Sequence, residues 1–330
     1  MLKGNWRLIL SPQVEDPRLN LALEEWALRH LDPAYSYVLF YVNSPSVILG
    51  RHQNVLQEVN LRACWDENIP ILRRISGGGT VVHDEGNLNF AFMTQHTLAN
   101  FNQYREFLQP IMRVLRAFGV PVDMDAQNNL RVEGFKISGN AQFTSKGRLL
   151  SHGTLLWSSN LKRMHNLLEK NRFYGIKSNA TVSKPANVTN IRNYLKHDMS
   201  MDEFRSALTQ SLLGRNPAHQ VIDDDQWRQI EHLAREKYRD YAWNIGRSPS
   251  CEVVSALAAP VGYEYNFSYR LQEGRFRNVQ IENRSLKFFE ELLEGQLLLP
   301  ETFVPLEKRI RTLKDAHLQK QAQRILEILI

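Results

Sequence analysis

Apolar residues recur at helical spacing in two long stretches. In "NLALEEWALRHL" (20–31), Leu21, Leu23, Trp26, Ala27 and Leu31 fall near a 3.6-residue period, which predicts a helix. In "NQYREFLQPIMRVLRAFG" (102–119), Phe107, Leu108, Ile111, Val114, Leu115 and Phe118 share one face. Gly119 stands where a C-cap belongs, and Pro110 predicts a kink or the true helix start. "SMDEFRSALTQSLLG" opens with Ser200 and Glu203 at capping-box spacing. "DDQWRQIEHLAREKYRDYAW" reads as a further helix and "LRACWDEN" as a short one.

Between these lie runs with strand character. "SYVLFYVN" and "SVILGRHQN" read as two strands around a turn, "IPILRRI" and "NLNFAFMT" as strands flanking a glycine run. "FKISGNAQFTSKGRLLSHGTLLW" (135–157) reads as a hairpin turning at "SKG". Alternation there sends Phe135 and Ile137 to one face, Lys136 and Ser138 to the other. Past "NIGRSPS" (244–250) come alternating strands, "YEYNFSYRLQEGRFRNVQIEN", then the helix "SLKFFEELLEG" and a C-terminal helix. The expected class is α+β, with a mixed or antiparallel sheet flanked by helices. Two domains are expected, residues 1–246 and a small α+β domain at 250–330.

Hydrophobic residues make up 43% of the 330, and no apolar run approaches the ~18 needed to cross a membrane. Forty-one Lys and Arg against 35 Asp and Glu give a net charge of +6. Basic residues are spread along the chain without a like-charge block, which fits a basic surface or an enzyme for anionic substrates better than a nucleic-acid binder. The two cysteines, Cys64 and Cys251, lack metal or redox spacing. "MLKGNWRLIL" shows neither a signal-peptide core nor a transit-peptide pattern, so a cytoplasmic protein is expected.

The densest chemistry is "RRISGGGTVVHDEGN" (73–87). It joins strand to strand, so it is neither a Walker A loop nor a dinucleotide fingerprint, both of which open helices. Three glycines exceed the needs of a hairpin turn and let bare amides approach an anion. Arg73 and Arg74 point to opposite faces of a strand, so one meets the loop's ligand and the other supports the loop. His83 and Asp84 form at most a weak metal pair; loop anchoring or ligand contact is the stronger reading. Lys136 is either a snorkelling surface lysine or, beside the small Ser138, Gly139 and Ala141, an ammonium with room for a ligand. His152, Gly153 and Thr154 follow on the next strand.

The order of "RRISGGGTVVHDEGN", "FKISGNAQ" and "SHGTLL", with "GRHQN" and "NLALEEW" upstream, resembles the lipoate–protein ligase family over nearly the whole chain. The resemblance implies the fold shared with biotin ligases. It also implies ATP-dependent activation of lipoate or octanoate to an acyl adenylate with release of pyrophosphate, and Mg2+ with the ATP. The acyl group then passes to a lysine of apo lipoyl domains, those of 2-oxoacid dehydrogenase E2 subunits and the glycine-cleavage H protein. By motif match, Lys136 is the catalytic cation. Arg74, Gly79, Thr80, Val81 and Val82 meet the nucleotide. Arg51, Ser76, Gly77, Gly78, His83, His152 and Gly153, with Lys136, line the lipoyl site. Two places depart from the family pattern. Asn128 is followed by Asn129 where an aspartate is usual, and an amide is no base and a poorer partner for a cation. "GIKSNATVSKPANVTN" (175–190) resembles lipoyltransferases that use a preformed acyl-AMP. Octanoyl transfer through a cysteine finds no cysteine near the motifs, and biotin ligation lacks its arginine-glycine loop.

Overall fold

Strand-forming runs that are apolar on both faces lie at the centre of the protein's largest sheet. Residues 88–93 are all buried, because the strand Asn87–Gln95 is flanked on both edges and covered on both faces. In this computed structural model the described residues are 2, 4–10, 14–97, 100–169, 175–258 and 264–329. Met1, Lys3 and Tyr263, parts of stretches read above, lie outside them.

The chain divides into two compact units. The first comprises residues 1–51, 74–164 and 184–240; the second gathers 241–330 with two earlier segments, 52–73 and 165–183.

In the first unit six strands form one mixed sheet, in the order Asn140–Ser145, Arg148–Leu156, Asn87–Gln95, Ser36–Val42, Trp6–Leu10, Ala218–Val221. The last two pairings are parallel and the others antiparallel. The α+β expectation therefore holds. The helix Tyr104–Ala117 lays Phe107, Leu108, Ile111, Val114 and Leu115 into the core, where they join Phe90, Phe92 and Trp157. That helix begins well before Pro110, which sits in its interior. Gly119 follows with φ +91, the left-handed conformation that favours glycine at a helix end. Ser200 and Glu203 form the reciprocal capping box on the helix Met201–Leu213. The α-helix Asp224–Leu233 gives way to a π-helical turn at Ala234–Tyr238, so the long helix read from 224 to 243 is not regular throughout.

Two strand assignments change. Ser36–Val42 and Ser46–Leu49 do not pair with each other: the first joins the six-stranded sheet and the second pairs with Val81–His83. The stretch 135–157 is not a single hairpin. Only Asn140–Ser145 and Arg148–Leu156 form one, while Phe135–Ser138 pairs with Leu130–Val132 in a separate three-stranded sheet. The chain changes sheets at Gly139, whose carbonyl accepts from Thr154 N–H at 3.1 Å.

The second unit contains a four-stranded antiparallel sheet in the order Gly175–Ser178, Cys251–Ala258, Glu264–Gln272, Arg275–Ile281. The helices Phe288–Leu293, Pro300–Arg311 and Ala316–Leu329 follow it, the last two where a single C-terminal helix was read. Among the described residues no helix is long and apolar enough to cross a membrane.

Candidate functional site

The two adjacent arginines take different surroundings, as strand alternation requires. Arg73 is fully buried in the second unit, where it donates to Gln53 O (2.7 Å), Asn244 O (3.1 Å) and Ser248 Oγ (2.9 Å). Arg74, in the first unit, organises the glycine loop. Its Nη2 donates to Gly77 O (2.6 Å) and Gly79 O (2.8 Å), its Nε to Ser76 Oγ (3.0 Å) and its Nη1 to Ile48 O (3.1 Å). Burial pushes its guanidinium down to about 10, so it stays charged at neutral pH. The loop carbonyls are thus drawn onto one buried cation.

The three glycines are not equivalent. Gly78 has φ +89, and a Cβ there would lie 3.1 Å from Arg74 Nη2. Gly77 lies outside the left-handed region, and a Cβ built on it meets nothing within 4 Å. The space beside Gly77 is therefore open. Beyond the loop, Thr80 and Val81 are half-buried, while Val82 is buried and pairs with Val47.

Ser76 heads a chain of buried hydrogen bonds. Glu24 Oε1 accepts from His152 Nδ1 (2.8 Å), which leaves His152 Nε2 to accept from the Ser76 hydroxyl (2.7 Å). Glu24 also accepts from Tyr41 (3.2 Å), whose phenol is held well above its ordinary range by burial and by that carboxylate. A second chain fixes His83. Asn43 Nδ2 donates to His83 Nδ1 (2.8 Å), and Asn20 Nδ2 donates to Asn43 Oδ1 (2.8 Å). Burial, with Arg74 and His152 nearby, pushes His83 down to about 3, so it is a neutral ring with its proton on Nε2. Its neighbour Asp84 accepts from Gly86 N (3.0 Å) and Asn160 N (2.7 Å), the work of a loop anchor. No group of three His, Cys, Asp or Glu among the described residues is placed to hold a metal.

Lys136 is half-buried, and its ammonium has no hydrogen-bond or ion-pair partner among the described residues. Its side chain turns toward Gly139: a Cβ there would lie 3.1 Å from Nζ. Two residues on, Ala141 Cβ would stand 3.8 Å from a Cβ on Gly78, which places the first strand of the hairpin against the loop. The lysine backbone is fixed on both sides, by Asn187 O (2.8 Å) and Thr189 N (3.1 Å). Burial lowers its pKa; Asp125 opposes the shift, and Arg131 and Arg74 add to it. His152 lies opposite Ala141, not opposite Lys136.

Arg51 donates its backbone N–H to Ser76 O (2.8 Å) and sets its guanidinium over Phe143, 5.7 Å from the ring centre. Its buried Nε has no hydrogen-bond partner among the described residues. Gly153 is a packing glycine: a Cβ would lie 2.1 Å from Asn140 Oδ1 and 2.7 Å from Phe90 Cζ. Asn129 donates through N and Nδ2 to Asp125, so the amide at 129 and the acid at 125 form one turn. Both cysteines, in the second unit, are buried, and burial pushes the Cys64 thiol up to about 12 and raises that of Cys251.

Sequence reasoning missed Asn20, Glu24, Tyr41 and Asn43. A signal existed for two of them. Asn20 and Glu24 are four apart on the helix Pro17–His30 and sit within its buried stripe, where unpartnered polar groups are costly.

The first unit thus combines a glycine loop held by a buried arginine with a lysine, unpaired among the described residues, on the separate three-stranded sheet. Residues 16–213 match the lipoyl protein ligase A/B catalytic domain, and the chain belongs to that family. It is 37% identical to the lipoate-protein ligase LplJ of Bacillus subtilis, over 82% of each chain. Lipoate–protein ligase 1 of Staphylococcus aureus is 40% identical over 74% of each. The mitochondrial lipoyl amidotransferase LIPT1 of Mus musculus is 34% identical over 77% of this chain and 69% of its own. Among solved structures, protein Ta0514 of T. acidophilum with bound lipoic acid matches 73% of this chain and 99% of its own, with TM-score 0.63 and 25% identity. P. falciparum LipL1 in complex with lipoate shares the fold over 98% of this chain, with TM-score 0.60 at 17% identity.

Proposed function

We infer that this chain is an ATP-dependent lipoate–protein ligase acting in the cytoplasm. The observation that carries the reading is the half-buried Lys136 ammonium, unpaired among the described residues and turned toward Gly139, two residues before Ala141, which lies against Gly78 of the arginine-held loop. A lipoate carboxylate oxygen attacks the α-phosphorus of ATP, the bond to the bridging oxygen breaks, and pyrophosphate leaves with its electron pair. Lys136 stabilises the charge on the carboxylate and α-phosphoryl oxygens, a contribution typically worth about 10²–10³ in rate. Mg2+ enters on the ATP phosphates as part of the co-substrate. The nucleotide lies along Gly79, Thr80 and Val81, on the loop that Arg74 shapes from within. The lipoyl tail runs past Gly77 and Gly78 toward Ser76, His83 and His152, with Arg51 at the rim. In the second step an acceptor lysine amine attacks the acyl carbon, AMP leaves, and the amine gives up a proton. Acceptors are apo lipoyl domains of E2 subunits and the H protein.

One further reading has support in Asn129, in the 175–190 segment and in the similarity to the mouse amidotransferase: transfer from preformed lipoyl-AMP alone. Protein mixed with MgATP, lipoate and an apo lipoyl domain decides between them. Pyrophosphate release with an acceptor mass gain is expected. Mass gain only from synthetic lipoyl-AMP would establish the transferase, and neither would reject the family activity for this chain.

A further inference from the structure

We propose that Asp125 is the positioning residue that keeps the Lys136 ammonium charged, a carboxylate displaced by one turn from the position where the family resemblance expects it. The proposal rests on the ligase reading and concerns how this chain meets its charge requirement.

The antiparallel pairing of Leu130–Val132 with Phe135–Ser138 sets Arg131 directly opposite Lys136. Directly opposed residues share a face, and like charges so placed destabilise the pairing. One carboxylate is bonded to that arginine. Asp125 Oδ2 accepts from Arg131 Nε at 2.5 Å and from Asn129 Nδ2 at 2.9 Å, and Oδ1 accepts from the backbone N–H of Gln127 (2.8 Å) and Asn129 (2.9 Å). Asn128, with φ +61, makes the bend that lets the acid reach across, and its carbonyl is held by Asn140 Nδ2 at 2.7 Å. The amide at 129 therefore serves as a donor to the acid at 125.

The charged groups acting on Lys136 are Asp125, Arg131 and Arg74. Asp125 is the one acid among them, and its hydrogen bonds from Asn129 and Arg131 hold it ionised, down to about 2. Without it the lysine faces burial and two cations with no opposing charge. Its pKa then falls further, so the ammonium is lost at lower pH, and a neutral amine cannot stabilise an α-phosphoryl oxygen. Asn129 cannot take over, because an amide carries no charge.

The test follows pyrophosphate formation from lipoate and MgATP, a step with no acceptor lysine to confuse the titration, between about pH 6 and 10. Asp125→Asn is expected to stay within about threefold of the parent at neutral pH and to fall about tenfold below it near pH 9. The double variant D125N/N129D, which returns a carboxylate four residues on, is expected to regain most of the loss. Two results overturn the proposal: a single variant that tracks the parent at every pH, or one that is depressed equally at every pH with no recovery in the double variant. If Asp125→Asn does not fold, recovery of both fold and alkaline activity in the double variant decides. If the parent releases no pyrophosphate, it is the ligase reading that fails. The same pH series on transfer from synthetic lipoyl-AMP then settles Asp125 separately, with loss and recovery there supporting it and their absence overturning it.

Discussion

Gly77 and Gly78 are neighbours with opposite reasons for being glycine. Gly78 needs its left-handed backbone, where a side chain costs about 1–2 kcal/mol. Gly77 needs only the space beside it. Gly77→Ala is therefore expected to fold as well as the parent, even to gain about 0.4–1 kcal/mol through a stiffer unfolded chain, while losing lipoate activation. Gly78→Ala is expected to lose stability. Urea unfolding of both variants beside a pyrophosphate assay checks the contrast. Lys136→Ala is expected to remain folded and to lose at least about 10² in adenylate formation; activity within threefold of the parent would remove the lysine from the mechanism. His83 makes a pH prediction. Its folded pKa of about 3 lies below its ordinary 6.5, so its contribution is complete above 6.5 and is lost as pH falls toward 3. His83→Gln does not titrate, and its thermal midpoint is expected to fall less steeply across that window. The glycine run was legible in sequence because flexible backbone and charge seldom coincide by chance, whereas Lys136 was singled out by its motif's resemblance, its own strand leaving a surface lysine open. Glu24 and Asn20 were not, because a polar residue in an apolar stripe reveals its partners only once Tyr41, Asn43 and His152 are brought to it.

Single elements were read well and their pairing poorly. Alternation identifies a strand but says nothing about which edge it joins, so "FKIS" and "NAQFTS" read as one strand although they belong to different sheets. The change of sheet lies beside Gly153, where neighbouring chain comes too close for a side chain. Gly153→Ala would drive a Cβ into Asn140, Phe90 and the backbone carbonyl of Gly139. Overpacking of this kind costs about 1–3 kcal/mol. A lowered urea midpoint with the site's residues otherwise intact is the expected result. The helix ends were legible because caps are local: Ser200, Glu203 and Gly119 all act within one turn. The π-helical turn at Ala234–Tyr238 was not, since the sequence there reads as a plain continuation of the helix.

At the scale of the whole chain, strand and helix content announced an α+β protein, but the composition of the two units did not follow from the order of residues. Segments 52–73 and 165–183 fold with the C-terminal residues although long stretches of sequence separate them. Within the second unit, Ser183 N–H donates to Glu58 Oε1 at 2.9 Å and Thr181 N–H to His52 O at 3.0 Å, contacts that no local pattern predicts. A ligand bound by the folded protein alone stabilises it by mass action, about 2.7 kcal/mol at a hundredfold excess over Kd. Lipoate with MgATP is therefore expected to raise the melting temperature, and to raise it much less in Lys136→Ala.

The burial of Cys64 and Cys251 bears on the proposed substrate's own reactivity. Lipoate is a strained cyclic disulfide, open to attack by any thiolate it meets. With both sulfurs enclosed and kept protonated, the protein offers no such nucleophile. It can handle an oxidant at high occupancy without becoming covalently trapped, and intact-mass measurement after prolonged incubation with lipoate in the absence of reductant should find the polypeptide unmodified.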